Sequence, residues 1–312
     1  MNHLDSPQDI KQFLNGYGST FLNGIRDAIS IIDVRTMRII AANRTFYTSL
    51  GFTEKEVIGR HCYAVTHRHG RSCSGPDDPC PMVAVLKTGS NAVFEHVHRH
   101  RDGHDIYMEV SVSPLKDRTG RVRFVIHVAR DITERKRAEQ RLKYLAFHDI
   151  ITDLPNRLLF NDRFQQAILR AARTKKSVAV MLMDLDRFKD VNDRLGHRIG
   201  DIVLKSIAGR FIHIIRKTDT IARLWGDEFG ILVDDARNVP SIKKIARKIL
   251  NVFTSSMIVE GYELRVTASL GISIYPDHGE NIEQLLKQAD QAMYQAKKKG
   301  RDNYEIFSES SN

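Results

Sequence analysis

The sequence predicts an α+β chain of two domains, an antiparallel sheet with short helices followed, after a helical linker, by a second sheet flanked by longer helices. Three observations carry this. Ile106, Met108, Val110 and Val112 alternate with polar residues, as do Phe124, Ile126 and Val128, the period-two pattern of half-buried antiparallel strands. Ala138, Leu142 and Leu145 recur in steps of four and three within a charged run, the spacing of a helical seam. Beyond residue 149, helical stripes such as Phe160, Phe164, Ala167, Ile168 and Ala171 alternate with apolar runs, one of which starts near Val178 and is continuous enough for a buried strand.

With 312 residues the chain can enclose two cores, and 42% hydrophobic with 28% charged residues excludes a disordered or fibrous chain. No run reaches the length of a membrane span, and the opening Met1-Asn2-His3-Leu4-Asp5-Ser6 lacks a basic segment followed by an apolar one. Secretion, anchoring and a membrane partner are therefore not expected, and the cytoplasm is the expected location. The formal net charge of +10 is spread over mixed basic and acidic residues, with short clusters at 135–141 and 297–301. Aromatic and basic residues do not interleave in the way that stacks single strands, so local phosphate binding is expected and nucleic acid is not.

Residues 1–16 read as a polar helical lead with an amphipathic trace at Ile10, Phe13 and Leu14. Short apolar strands follow at 28–33 and 37–41. Ala42-Asn43-Arg44-Thr45-Phe46 opens a helix that stops at Leu50-Gly51-Phe52, and Thr53-Glu54-Lys55-Glu56 caps another before Gly59. Two strands, small helices and three more strands, marked by Ile40-Ala41-Ala42-Asn43, Gly51-Phe52, Glu54, Gly59 and the closing Arg130-Asp131-Ile132-Thr133-Glu134-Arg135-Lys136, resemble a PAS sensor domain over residues 17–133. The resemblance implies a fold and leaves the ligand open, because such domains host many ligands or none.

All three cysteines, Cys62, Cys73 and Cys80, and seven of the thirteen histidines lie between residues 61 and 104. One reading is a tetrahedral thiolate and imidazole site for zinc or an iron centre, made by the cysteines with His67 or His96. The other is a Pro- and Gly-rich loop, Ser74-Gly75-Pro76-Asp77-Asp78-Pro79, between buried or free thiols, with His96, His98 and His100 on an exposed strand face. The spacing has no C-x-x-C pair, which argues against a finger-like zinc site and c-type haem attachment. A cytoplasmic disulfide between Cys73 and Cys80 is disfavoured by compartment.

Residues 132–147 should form one helix, with 134–148 serving as a linker. Its seam suits a short two-stranded coiled coil that dimerises the chain; a single solvated helix packed on its own domain is the alternative.

In the second half, Arg223-Leu224-Trp225-Gly226-Asp227-Glu228-Phe229-Gly230 places two carboxylates at a hairpin turn between apolar runs. Such oxygens are ligands for a hard cation like Mg²⁺, which commonly sits on nucleotide phosphates; two solvated acids on a polar turn are the alternative. Met181-Leu182-Met183-Asp184-Leu185-Asp186-Arg187-Phe188-Lys189 reads as a buried strand ending in an acid and turning into a helix. The N–H groups near Arg187, Phe188 and Lys189 at that helix start suit an anion.

The run D-L-D-R-F-K-x-x-N-D-x-x-G-H-x-x-G-D from Asp184 to Asp201, with Gly226-Asp227-Glu228-Phe229, is similar to the GGDEF family of diguanylate cyclases. The resemblance runs from near Asp149 to Phe307, within a domain placed at 149–312, and implies a palm-like mixed sheet flanked by helices. Asp149-Ile150-Ile151-Thr152-Asp153-Leu154-Pro155-Asn156-Arg157 looks like the family's opening motif, with Ile151 in place of leucine.

By this resemblance, Asp184, the backbone carbonyl of Leu185, and Asp227 hold Mg²⁺ (or Mn²⁺) on a GTP triphosphate. Asp227 helps deprotonate the attacking 3′-hydroxyl and Glu228 assists the metal site. Phe188, Lys189 and Gly226 stand by the substrate, Lys189 also among the catalytic groups. Asn192 and Asp201 bond guanine, and Lys297 and Arg301 pair with the terminal phosphates. Arg216-Lys217-Thr218-Asp219 matches the family's R-x-x-D site, where Arg216 and Asp219 grip the product, cyclic di-GMP. The implied reaction joins two GTP into cyclic di-GMP with release of two pyrophosphates, and requires a homodimer because each domain presents one GTP. Trp225 stands where the family has its first glycine, which keeps open a non-catalytic alternative, a receptor for cyclic di-GMP or GTP.

Overall fold

A computed structural model describes residues 6–308 apart from 15–17, 69, 72, 74–78, 213, 217 and 237. The loop expected at 74–79 therefore lies, except for Pro79, outside the described residues. The chain divides into two compact units, Met1–Gln140 and Arg141–Asn312.

In the first unit, α1 (Pro7–Phe13) and α2 (Ser19–Asn23) lead into β1 (Ala28–Asp33), β2 (Arg38–Ala42), α3 (Arg44–Ser49), α4 (Glu54–Val57), α5 (Cys62–Thr66) and α6 (Pro81–Thr88). Then come β3 (Ala92–Arg99), β4 (Asp105–Lys116) and β5 (Val122–Asp131). The strands form one antiparallel sheet in the order β2-β1-β5-β4-β3. Asn43 starts α3: its buried Oδ1 accepts from the Phe46 N–H at 3.0 Å and the Ile29 N–H at 2.9 Å, so one side chain caps a helix and fixes it to the sheet. The Thr53 and Glu56 capping box forms as its sequence predicts.

The alternation in β4 is realised, with Ile106, Met108, Val110 and Val112 all buried. In β5 the main core takes the opposite residues. Val125, His127 and Ala129 are buried while Ile126 and Val128 are only half-buried, and Phe124 joins Ile10, Ile31 and Ala41 in a separate cluster. Helix α1 brings Ile10 to that cluster, so both faces of the sheet are partly covered and period two alone does not identify the inner one. β3 also departs from expectation. His96 and His98 are buried, while Val93 and Val97 face solvent at 62% and 41% exposure; the exposed histidine face is overturned for these two residues.

α7 (Thr133–Phe147) carries the division between the units. Ala138 and Leu142 are exposed and Leu145 is half-buried, so the seam residues are not absorbed into a core.

The second unit continues with α8 (Arg157–Thr174), β6 (Val178–Asp186), α9 (Phe188–Leu195), α10 (His197–Ile212), β7 (Thr220–Trp225), β8 (Glu228–Val233) and α11 (Val239–Leu250). It closes with the small hairpin β9 (Met257–Val259) and β10 (Tyr262–Leu264), then β11 (Thr267–Tyr275), α12 (Ile282–Lys298) and β12 (Tyr304–Ile306). The five-stranded sheet runs β12-β11-β6-β8-β7 and is mixed, β11 and β12 being parallel. β11 is one continuous strand in this sheet, and residues 262–264 belong to the separate two-stranded hairpin. Gly271 is no break. A Cβ there would stand 2.0 Å from the Ala289 carbonyl, so glycine lets α12 lie directly on β11.

β6 is central and buried on both faces. Ala179, Met181, Met183 and Leu185 join one cluster with α10 and α11, and Val178 and Val180 join another with α8 and α12. The pleat therefore directs Asp184 to the α12 side.

Candidate active site

The acids converge at one end of the sheet. Asp184 on β6 is the cross-strand partner of Glu228 on β8, and the Leu185 N–H donates to the Asp227 carbonyl at 3.3 Å. Lys297, in the last turn of α12, places Nζ 2.8 Å from Asp184 Oδ1. Burial pushes the Asp184 carboxyl above its ordinary value, Lys297 draws it down, and Asp227 and Asp186 raise it. Glu228 is raised by burial, then by Asp184 and Asp227. Clustered carboxylates that suppress one another's ionisation are a hard oxygen donor set suited to a divalent cation.

The turn is a two-residue loop, Gly226 and Asp227, between Trp225 and Glu228, which pair across the hairpin. Gly226 has φ 47°, so the positive φ falls on the first loop residue, as in the primed hairpin turns. Trp225 ends β7 without a left-handed backbone, is 63% exposed and packs with Arg157 5.3 Å from its ring centroid. It points outward, away from the core beneath the acids.

Phe188 is buried in the core, so only its backbone can serve a ligand; Lys189 beside it is exposed. Asn192 is half-buried on α9 and Asp201 exposed on α10. A Cβ on Gly200 would stand 2.0 Å from Asn192 Oδ1, so Gly200 is what lets this side chain lie across the start of α10. Arg301 is exposed on the turn after α12 and has φ 64°. It lines a concavity of about 740 Å³ with Arg187, Asp190 and Arg194, which Lys297 does not line.

Four contributors were not singled out by sequence reasoning. Asp186 accepts from Thr267 Oγ1 and Ser269 Oγ, both at 2.7 Å, and from the Asp302 N–H at 3.1 Å, tying the Arg301 turn to β6. Arg223 joins Asp149 at 3.0 Å to the Gly226 carbonyl at 2.8 Å. Lys244 and Lys248 on α11 line a cavity of about 470 Å³ with Arg216 and Asp219. The D-L-D doublet and the helical spacing of the lysines were visible signals, but their partners are distant in sequence.

In the first unit, a cavity of about 30 Å³ is lined by Cys62, Cys73 and Cys80 together with His67, His96, His98 and His127. Cys73 Sγ lies 3.7 Å from His67 Nδ1 and 3.9 Å from its Nε2, and His67 Nε2 lies 3.3 Å from His96 Nδ1. Burial, then Cys80, pushes the Cys62 thiol up to about 12. No disulfide joins the cysteines.

Comparison with known proteins decides the family. Residues 146–303 match the family described as diguanylate cyclase, GGDEF domain, and residues 26–134 match the PAS domain. The chain belongs to the GGDEF family and carries a PAS domain before it. It is 43% identical over 180 residues to the bifunctional diguanylate cyclase/cyclic di-GMP phosphodiesterase MucR of Pseudomonas aeruginosa, covering 58% of this chain and 26% of that protein. It is 32% identical over 289 residues to the probable diguanylate cyclase DgcE of Escherichia coli, covering 92% of this chain and 26% of that protein. The chain thus spans about a quarter of the length of these relatives. The solved GGDEF domain of TpbB (YfiN) from Pseudomonas aeruginosa is 36% identical with TM-score 0.50, covering 51% of this chain and 99% of that one. Among the described residues of this PAS–GGDEF chain, no helix is long and apolar enough to cross a membrane.

Proposed function

We propose that the GGDEF domain, placed at residues 149–312, is an active diguanylate cyclase that condenses two GTP into cyclic di-GMP and two pyrophosphates in a cytoplasmic homodimer. The observation that carries this reading is the cross-strand pair of Asp184 and Glu228, with Asp227 beside them and Lys297 on Asp184, behind a hairpin whose tryptophan turns outward.

Asp184, the Leu185 carbonyl and Asp227 are the residues that would hold Mg²⁺ or Mn²⁺, and their oxygen-only chemistry fits such an ion. When bound, the cation supplies charge neutralisation for the triphosphate. The chain's own residues do the rest. Asp227 accepts the proton of the attacking 3′-hydroxyl, and Glu228 supports the acid cluster. Asn192 and Asp201 orient guanine so that the hydroxyl of one nucleotide meets the α-phosphate of the other. The start of α9, at Phe188 and Lys189, the close backbone at Gly226 and the cations Lys297 and Arg301 bind phosphate oxygens.

Product feedback is assigned to Arg216 and Asp219, whose cavity also offers Lys244 and Lys248 to phosphate. Residues 17–133 act as the sensor, and the exposed seam of α7, within the linker at 134–148, as the dimerising element that sets the distance between two catalytic domains.

The test is the nucleotide product formed from GTP and Mg²⁺ by the full chain beside Asp227→Ala. Cyclic di-GMP from the unmutated protein alone supports the reading. No product at any protein concentration, after bound cyclic di-GMP is stripped, overturns it in favour of a receptor for cyclic di-GMP or GTP.

A further inference from the structure

The geometry points to a metal site on the surface of the PAS domain, where His100, Asp102 and His104 hold one Zn²⁺ ion at the turn between β3 and β4 and leave its fourth position to water. The turn is His100-Arg101-Asp102-Gly103-His104, and backbone bonds close it. The His100 N–H donates to the His104 carbonyl at 2.9 Å and the Gly103 N–H to the His100 carbonyl at 3.0 Å, with Gly103 at φ 101°. Alternate residues of this short loop thereby bring their side chains together. Among the described residues, this is the group whose donor atoms are gathered closely enough for a metal ion, all within 4.8 Å of one another; the cysteines, His67 and His96 are not so gathered.

Asp102 Oδ1 is the shared vertex. His104 Nδ1 lies 2.6 Å from it and His100 Nδ1 3.0 Å, and the two rings stack with centroids 4.5 Å apart. The Asp102 N–H donates to His100 Nδ1 at 3.3 Å, so neutral His100 has its lone pair there and its proton on Nε2. That lone pair faces a carboxylate oxygen. A cation bound by both turns the repulsion into ligation.

The surroundings orient His100 and keep other cations occupied. A Cβ on Gly51 would stand 2.6 Å from His100 Nε2 and 2.7 Å from its Cε1, so glycine lets the ring lie against the segment between α3 and α4 with Nδ1 left to Asp102. The Arg101 N–H donates to the Leu50 carbonyl at 3.0 Å, and Arg68 donates to the Arg101 carbonyl at 2.9 Å, so the turn is held from outside as well. Arg99 pairs with Asp105 and Arg101 with Glu56, both at 3.1 Å.

Two imidazoles, one carboxylate and water make an open zinc site, and nitrogen donors select zinc over Mg²⁺. Zn–N and Zn–O bonds of about 2.0–2.2 Å set donors on tetrahedral edges of about 3.3–3.6 Å. The three donors must therefore spread, which needs only rotation of side chains that are 55% exposed in His104 and 63% in Asp102. On binding, the proton that His104 Nδ1 shares with Asp102 passes by way of solvent to Nε2, leaving Nδ1 to the ion. The bound ion stiffens a turn that Arg101 ties to Leu50 and Glu56, bracing β3 and β4 against α3 and α4.

The test titrates Zn²⁺ into the full chain by calorimetry, in excess Mg²⁺ so that the GGDEF acids are occupied. One Zn²⁺ per chain is expected, and it should shift the ring-proton resonances of His100 and His104 where Mg²⁺ does not. His104→Ala and Asp102→Asn should each weaken binding by more than about a hundredfold, beyond the roughly 10–100-fold that an outer-shell partner is worth, with the far-ultraviolet spectrum retained. Cys73→Ser and Asp184→Ala should each leave this site unchanged. The absence of zinc binding in the unmutated chain overturns the proposal, as does a site that survives His104→Ala. Loss in Cys73→Ser would assign the ion to the thiols, and loss in Asp184→Ala to the GGDEF acids; either result also overturns it.

Discussion

Lys297 Nζ stands 2.8 Å from Asp184 Oδ1 and is the cation that restrains the upward shift of that buried acid. Asp184 and Glu228 both remain raised, so both hold protons to higher pH than ordinary carboxyls. A raised acid contributes its full stability below its unfolded pKa and loses it as pH rises through the folded one. The metal-free domain should therefore lose stability across that window, and Mg²⁺ should restore it. Conversely, Mg²⁺ affinity should fall on acidification, by about tenfold per pH unit for each proton displaced. Calorimetry in buffers of different ionisation enthalpy would show the released protons; a pH-independent affinity would refute this. Lys297→Ala should move the window upward.

Gly200 governs Asn192. Replacing Gly200 by alanine places a Cβ 2.0 Å from Asn192 Oδ1 and 3.1 Å from its Cγ, so the amide must swing away. Alanine also favours the helix by roughly 0.8–1.0 kcal/mol, which offsets strain in stability. Guanine nucleotide affinity should fall on the order of tenfold, the worth of a hydrogen bond of about 1–1.5 kcal/mol, with little change in Tm. Unchanged affinity with an unchanged Asn192 would show that the contact positions nothing.

Much of this arrangement was legible because its signals are local. The helix caps at Asn43 and Thr53, the inward stripe of α8 and the continuous apolar run of β6 each state their own structure within a few residues. Asp184, Asp227 and Glu228 were legible because a strand end and a hairpin turn announce them. What escaped was decided across the sheet. The inward turn of His96 and His98 depends on register with β4, since a shift of one residue exchanges the faces. The need for glycine at 271 shows only when α12 is laid on β11, and Asp186 shows its role only when β11 brings Thr267 and Ser269 alongside.

Trp225 is a test of how far the hairpin depends on glycine. Its backbone lies outside the left-handed region, and its indole meets solvent and Arg157. Trp225→Gly should cost about 1–2 kcal/mol, from glycine in a strand and the lost cation–π contact. Cyclic di-GMP formation per folded molecule should stay within about threefold, under 1 kcal/mol of barrier. A rise of tenfold or more would mean that the indole obstructs GTP.

Arg223 should prove the main support of the acidic turn. Its guanidinium bonds Asp149 at 3.0 Å and the Gly226 carbonyl at 2.8 Å, with side-chain exposures of 11% for Arg223 and 23% for Asp149. Burial pushes the Asp149 carboxyl up, but hydrogen bonds from Thr152 and Arg223 and the charge of Arg223 hold it below its ordinary value. That stability is present above the unfolded pKa and lost as pH falls through the folded one. Arg223→Ala leaves the partly buried Asp149 carboxylate with its Thr152 donors but without a cation, and releases the Gly226 carbonyl, so a loss of about 1.5–3 kcal/mol is expected near neutral pH. The loss should shrink on acidification as Asp149 protonates. Arg223→Lys should not rescue, because one ammonium cannot span both acceptors as the planar fork does. Denaturant unfolding at several pH values measures both effects, and a pH-independent loss would mean that Arg223 acts through packing alone.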